Sequence, residues 1–264
     1  MSQDYWVKQG EKALFPDLLW ARPEVKSSAG KLLVVGGHVQ SFAATAEAYA
    51  VAERAGIGVV RVLLPDSLQK TVSQLFTPAE YAPSNPSGGF AAQALAELMV
   101  EGKWADGVLL AGDLGRNSES LAMLENFAGR YDGRLTITKD AGDFFCKQPS
   151  ALLDRGATLL VVSMGQLQKL AGALKLPYAF TSDLGMLQLV ELLHDFTTTY
   201  HRIYLVTLHQ NHCVVATQGR VCTSTANPQK PMWRVGTAAA AATWWLQNPT
   251  KPFEALVSSV YPGA

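Results

Sequence analysis

Neither sign of charge dominates this sequence: 22 lysines and arginines balance 22 aspartates and glutamates, and charged residues are only 17% of the chain. Without a basic excess there is no electrostatic footprint for nucleic acid or for an anionic membrane surface. Long apolar runs are missing too. No stretch of about 18 uninterrupted apolar residues exists, and Ala238–Trp245 is far too short, so no membrane span is expected. The opening MSQDYWVKQGEKALF is polar and has no apolar core of a secretion signal. Cysteine is scarce. Cys146, Cys213 and Cys222 lie too far apart for a metal-ligand pair or a disulfide framework, and read as small buried hydrophobes of a protein from the reducing cytoplasm. Familiar catalytic signatures are absent as well: no HExxH, no GxSxG elbow and no GxxxxGK[ST] loop. The histidines, His38, His194, His201, His209 and His212, show no metal-ligand spacing on a helix.

What is present is alternation. Lys31–Gly37 (KLLVVGG) reads as a buried strand ending in glycines, Ala43–Ala55 as a helix, and Gly58–Leu64 as a second strand closed by Pro65. Strand, helix, strand predicts a parallel pair with a right-handed crossover. The pattern recurs: helix over Phe90–Glu101, strand over Gly107–Ala111, helix over Ser118–Tyr131, strand over Leu135–Thr138, strand over Thr158–Ser163, then a helix from Gly165. A long helix spans Ser182–Thr199, with Ser182 and Asp183 as expected caps. Ile203–Thr207 is a strand, and Val214–Ala216 and Val221–Thr223 form a hairpin around Gln218-Gly219. An alanine-rich helix runs over Gly236–Gln247. The alternation predicts one doubly wound α/β domain over residues 1–264, with about eight mostly parallel strands and helices on both faces. Residues 1–30 are expected as an extension on the core or on a partner subunit, with Trp6, Leu14, Phe15 and Trp20 as contacts. Ala82–Gly89 (APSNPSGG) reads as a surface excursion.

In open α/β sheets ligands bind at the carboxyl ends of strands. Four ends carry small or turn-forming residues: Gly36-Gly37, Gly112–Gly115, Asp140–Gly142 and the Gly236-Thr237 loop. Any one of them is an ordinary turn; four together predict a binding crevice. Gly236-Thr237 opens a helix whose free amides suit a phosphate. Asp113 and Asp140 follow strands and are the candidate acid/base groups, with capping as their structural alternative. His209 and His212 flank a strand-to-hairpin turn, which reads as a solvated loop.

The order of these motifs resembles the ADP/ATP-dependent NAD(P)H-hydrate dehydratases, a branch of the ribokinase-like superfamily, from Lys31 to the C-terminus. Gly36-Gly37-His38 hold the family's glycine turn, Ala43-Ala44 its glycine-alanine pair, and Ala55–Gly58 its AGAG helix end. ADGVLLAGDLGR resembles the D-GPGLGR strand end: Gly115-Arg116 match, while Ala111 and Asp113 stand where glycines are usual. TKDAG resembles DADAL, keeping Asp140 and Ala141. VVSMGQLQKL resembles TPHPGEFARL, with Gly165 and Leu170 matching, Ser163 in place of the substrate-contacting histidine and Gln166 in place of the glutamate. VTLHQNHCVVA resembles VVLKGAGTVIA, so His209 stands at the nucleotide-binding lysine. In NPQKPMWRVGTAAAAATWW, which resembles N-x-MATGGTGDVLAG, Met232, Gly236 and Thr237 match, Ala238 replaces a glycine and Ala239 replaces the acid/base aspartate.

The resemblance implies a ribokinase-like crevice with substrate contacts at Ala44, Gly115, Asp140 and Ser163. It implies nucleotide contacts at His209, Gln210, Asn211, His212, Gly236, Thr237 and Ala238. It also implies ADP or ATP with Mg²⁺ as cofactor and a homo-oligomer. The family reaction is dehydration of hydrated NADH or NADPH, and alanine cannot move a proton; losing a general acid/base costs on the order of 10²–10⁴ in rate. The expectation is a divergent relative that binds a nucleotide or other small ligand with little or no catalysis. The alternatives are an active dehydratase using Asp113 or Asp140, and a small-molecule kinase of the same fold.

Overall fold

The computed structural model describes residues 4–74, 76–225 and 233–261. Ten strands among these residues form one sheet. They are β1 (Trp6–Gln9), β2 (Lys31–Gly36), β3 (Val59–Pro65), β4 (Ala79–Ala82), β5 (Gly107–Gly112), β6 (Arg134–Thr138), β7 (Thr158–Val161), β8 (Ile203–His209), β9 (His212–Thr217) and β10 (Arg220–Thr225). Eleven helices accompany them: α1 (Pro16–Trp20), α2 (Ala43–Arg54), α3 (Gln69–Val72), α4 (Leu95–Trp104), α5 (Ser118–Arg130), α6 (Lys139–Lys147), α7 (Ser150–Leu153), α8 (Met164–Ala173), α9 (Met186–Thr199), α10 (Val235–Gln247) and α11 (Pro252–Ser259).

The strand order is β1-β10-β9-β8-β7-β6-β5-β2-β3-β4, and the seven strands from β4 to β8 are parallel throughout. β8, β9 and β10 form an antiparallel meander, and β1 adds to β10 in parallel. From β2 the chain winds outward through β3 to β4, then returns to β5 on the other side. The winding therefore reverses between β2 and β5, the place where open α/β sheets leave a crevice.

Strand composition explains the layering. Leu32, Leu33, Val34 and Val35 are all buried, and alternate residues face opposite cores. One face is covered by α4, α5, α6, α8 and α9, the other by α2, α10 and α11. Such continuous apolar strands belong to sheets with both faces covered. α10 is buried from Val235 to Leu246 and packs on α2, α11 and β5. Its alanines, and Ala44, Ala48 and Ala52 of α2, are the small side chains that let two helices and a sheet meet closely. The α/β class, the mostly parallel sheet and the helices on both faces are as the alternation predicts.

Several expectations are corrected. The sheet has ten strands rather than about eight, because β4 and the short β1 add an edge on each side. Ser182 and Asp183 do not cap a helix: α9 begins at Met186, where the Gly185 amide donates to Gln188 Oε1 at 3.2 Å. Phe90 and Ala91 precede a helical turn over Ala92–Ala94, and α4 proper starts at Leu95. The Ala82–Gly89 loop is no surface excursion. Asn85 is buried, donating to Phe90 O and Ser120 Oγ and accepting from the Ser87 and Gly89 amides. Gly88 O accepts from the Val39 amide and Ser67 Oγ.

Arg155 is buried among carbonyls. Its guanidinium donates to those of Ala128, Tyr131 and Gly133 at 3.2, 2.8 and 2.6 Å and to Thr158 Oγ1, tying the end of α5 to the starts of β6 and β7. The carbonyl end of a helix favours a cation. Arg155→Met is expected to lower unfolding free energy by about 3 kcal/mol through unpaired buried carbonyls. Arg155→Lys should restore less than half, lacking the planar fork. Urea unfolding midpoints check both.

Candidate functional site at the strand ends

The ends of β2 and β5 come so close that a side chain would not fit. A Cβ on Gly36 would lie 2.3 Å from Gly112 O, and the β2/β5 register slips there. Gly112 itself has φ +109°, and its absent Cβ would lie 2.6 Å from Asp140 Oδ1 and 2.7 Å from Lys139 Cβ. The glycines at this reversal point thus make room for two side chains of the β6–α6 junction.

Asp113 follows in left-handed backbone, φ +56°. Its carboxylate accepts from Lys139 Nζ (2.5 Å), the Ala44 amide (2.8 Å) and Ser41 Oγ (2.9 Å). Burial pushes its pKa up, but these hydrogen bonds outweigh burial and hold it below the ordinary value. Asp113 is thus a fixed anion, fully used at the start of α2. Ser41 is placed by a tight turn in which His38 and Ser41 exchange both backbone hydrogen bonds.

Asp140 has the opposite character. Oδ2 accepts from the Leu114 amide at 2.8 Å, while Oδ1 is buried with no hydrogen-bond partner. Burial raises its pKa, and the neighbouring Asp113 charge adds to this. Between these carboxylates stands Lys139, also left-handed at φ +55°. Its carbonyl is held at 2.7 Å by Nε2 of the buried Gln166. Gln166 in turn completes the capping box of α8 with Ser163. Ser163 and Gln166 therefore serve the helix start and the Lys139 backbone. Gly115, φ +74°, lies against the His38 ring, 2.9 Å from Cδ2 at its Cβ position.

The structure joins Ala44, Asp113, Asp140, Gly115 and Ser163 at one corner through Lys139, Gln166, Ser41 and His38. It does not bring His209 to them. His209 is buried and its Nε2 pairs with Leu184 O at 2.7 Å, which Gln210 Nε2 also reaches at 3.2 Å. Gln210 and Asn211, both at positive φ, form the β8–β9 turn, and His212 Nδ1 pairs with Gln210 O. The expected solvated loop is corrected for His209, which the Leu184 carbonyl draws inside. Gly236, Thr237, Ala238 and Ala239 form the first turns of α10, all buried, with Thr243 Oγ1 donating to Ala239 O. Ala238 N already donates to Arg234 O at 2.7 Å. Met232 lies outside the described residues. Among the described residues no three His, Cys, Asp or Glu side chains converge as metal ligands, and no helix is long and apolar enough to cross a membrane.

The chain matches no family profile and no curated protein. Solved structures do match. A ribokinase-like superfamily protein from Enterococcus faecalis superposes with TM-score 0.73 at 17% identity, over 98% of this chain and 86% of that one. The fold is ribokinase-like. The ADP/ATP-dependent NAD(P)H-hydrate dehydratase of Bacillus subtilis, co-crystallised with ATP/Mg²⁺, gives 0.61 at 17% identity over 90% and 79%. The pyridoxal kinase of Staphylococcus aureus, in complex with AMP-PCP and pyridoxal, gives 0.53 at 11% over 87% and 84%. The dehydratase fold expected from the motifs is thus among the similar structures, beside kinases of the same architecture.

Lys139 and Ser41 join the site only in three dimensions, and Gln166 enters it as a clamp on the Lys139 backbone. The sequence carries one signal for Lys139, a charged residue directly before Asp140 at a strand end. The two aspartates should respond oppositely to pH. Asp113, with a lowered folded pKa, contributes stability that is present above its free value of 3.8 and is lost as pH falls below it. Asp140, with a raised folded pKa, gives stability present below 3.8 and lost as pH rises. Asp113→Asn should therefore cost about 1 kcal/mol at pH 7, as loss of a helix cap does, and less below about pH 4. Asp140→Asn should be neutral or stabilising at about pH 7. Urea midpoints across the acid-to-neutral range decide it.

Proposed function

We propose that this chain is a divergent relative of the NAD(P)H-hydrate dehydratases with a degenerate site, binding a nucleotide or small ligand weakly with little or no catalysis. The observation that carries this reading is Ala239. It stands where the resemblance calls for the acid/base aspartate, and it is wholly buried inside an alanine run of α10. Packing governs that segment, and alanine at 239 has no proton to give. His209, at the position of the nucleotide lysine, is turned to Leu184 O. The described residues do not form a Mg²⁺ site of their own: Asp113 is saturated by three donors, and the unpartnered Oδ1 of Asp140 is buried beside Gly112. Any Mg²⁺ would have to come with the nucleotide phosphates.

One observation favours the second reading, an active lyase. Asp140 keeps an unpartnered oxygen and a pKa raised by burial, the character of a general acid. Between the two fallback carboxylates the acid/base role falls to Asp140, since Asp113 is held ionised. The kinase reading needs the same missing aspartate and gains nothing from the site.

A homo-oligomer belongs to the same proposal. Of the N-terminal residues suggested as contacts, Trp20 is 88% exposed and Leu14 is exposed. Trp6 instead donates to Thr223 Oγ1 at 3.1 Å, and Phe15 packs edge-on to Phe253. Light scattering at micromolar concentration should give a multiple of the chain mass; a clean monomer would remove the idea.

Turnover of hydrated NADH with ADP or ATP is expected to stay well below about 1 s⁻¹ in the wild type. Gain of turnover in Ala239→Asp alone supports the degenerate-site reading. Wild-type turnover near about 1 s⁻¹ that is abolished in Asp140→Asn overturns it in favour of an active lyase. A parallel ATP titration should show weaker binding to Gly236→Val than to the wild type, because the amides opening α10 are the expected phosphate contact; equal affinities would place the nucleotide elsewhere.

A further inference from the structure

β4 is the outer strand on one side of the sheet, so one of its edges is open. Val62 lies opposite Ala79, and its amide donates to Pro78 O at 3.2 Å. Successive residues of a strand direct their main-chain groups to opposite sides. In this parallel ladder the Glu80 main chain therefore faces β3, and the Tyr81 N–H and C=O face outward. Among the described residues nothing pairs with those two groups. An edge of this kind is a template for another strand.

Beside the edge lies a groove of about 270 Å³ between β4 and α4. Leu63, Ala96 and Val100 make it apolar, and Val100 is 65% exposed. The carboxylates of Glu80, Glu97 and Glu101 complete the lining. Glu101 accepts from Arg61 at 2.8 Å, and the same guanidinium lies 3.9 Å over the Trp104 ring, so this cation is already committed. Glu80 and Glu97 have no ion-pair or hydrogen-bond partner among the described residues. Glu97 and Glu101 also stand four residues apart on α4, a spacing at which like charges repel. The groove is an apolar slot with two uncompensated negative charges.

Such a slot suits one long cationic side chain. Its volume lies below the range of about 300–1,000 Å³ usual for small-molecule sites. Lysine and arginine carry an apolar stem behind the charge; the stem matches Leu63 and Val100, the charge matches Glu80 and Glu97. We propose that β4 and α4 form a docking site for an extended, lysine- or arginine-bearing segment of a partner protein. The segment adds as a strand at Tyr81 and lays a cationic side chain in the groove. A second copy of this chain does not fit, because two β4 strands joined edge to edge bring two sets of glutamates together. Carboxylates beside a free edge deny it to uncharged strands and admit one that brings the opposite charge. The inference uses none of the strand-end residues and does not depend on the nucleotide reading.

The probe is a blocked peptide of alternating lysine and valine, whose lysines share one face when extended; its glutamate–valine counterpart is the control. Fluorescence anisotropy should show saturable binding of the lysine peptide to the full chain and none of the glutamate peptide. Glu80→Gln/Glu97→Gln changes two exposed, unpaired side chains, so its melting temperature should match the wild type. Its affinity for the lysine peptide should fall by about two- to thirtyfold, the loss of two exposed ion pairs. N-methylation along the peptide backbone keeps the charge and should abolish binding. With the unmodified peptide bound, the Tyr81 amide should exchange with deuterium several-fold more slowly, while the Glu80 amide, already bonded to β3, keeps its rate. Undiminished affinity in the double variant means that the carboxylates recognise nothing and overturns the proposal. Retained binding of the N-methylated peptide, or an unprotected Tyr81 amide, overturns it equally, since no strand has been added. Equal binding of the lysine and glutamate peptides removes the charge selection on which it rests.

Discussion

Leu32 to Val35 are buried on both sides of the sheet, and the same holds for Val108 to Ala111. Strands covered by helices on each face carry almost only apolar side chains along their length, as β2 and β5 do, so charged groups gather where such strands end. At the reversal between β2 and β5 those ends nearly touch, and only glycine at 36 and 112 permits the approach. The left-handed Asp113 and Lys139, the turn presenting Ser41 and the clamp by Gln166 are all answers to that one crowded junction.

This crowding separates two kinds of polar position. Asp113, Ser163 and Gln166 serve local structure: one holds the start of α2, the others the start of α8 and the Lys139 carbonyl. His209 likewise is tied to backbone, its Nε2 pairing with Leu184 O. Asp140 differs from them in retaining a buried oxygen with no partner. The ribokinase-like frame rests on apolar strands that do not involve those positions, so polar residues at the strand ends are free to serve cohesion.

The alternation of apolar strands with unbroken helices makes the fold readable. KLLVVGG, GVVRVLL and TLLVVS leave little else to be, and Gln218-Gly219 marks the β9–β10 hairpin plainly. What escapes a reading of the chain is short or contextual. β1 and β4 have four residues each and take their identity from the strands they pair with. α6 carries Gly142 and follows β6 without a break, so no boundary marks it. α11 has a signal of its own, Pro252 at its first turn, but only eight residues behind it. At the candidate site, turn glycines mark the strand ends that meet, and Asp113 and Asp140 are both visible as candidates. Their opposite fates are not, since they depend on Lys139 and Leu114 lying beside them in space.

β1 pairs with β10, so Trp6–Gln9 finds its partner only in Arg220–Thr225. During synthesis at about 5–20 residues per second, the first strand waits on the order of ten to forty seconds before anything exists for it to join. Its edge must remain unclaimed meanwhile. Lys8, whose ammonium sits 4.4 Å over the Trp6 ring in the finished sheet, puts a charge on this short strand and so discourages premature pairing. This edge ladder is therefore among the last to close on the ribosome, while the opposite edge, β3 with β4, can form early.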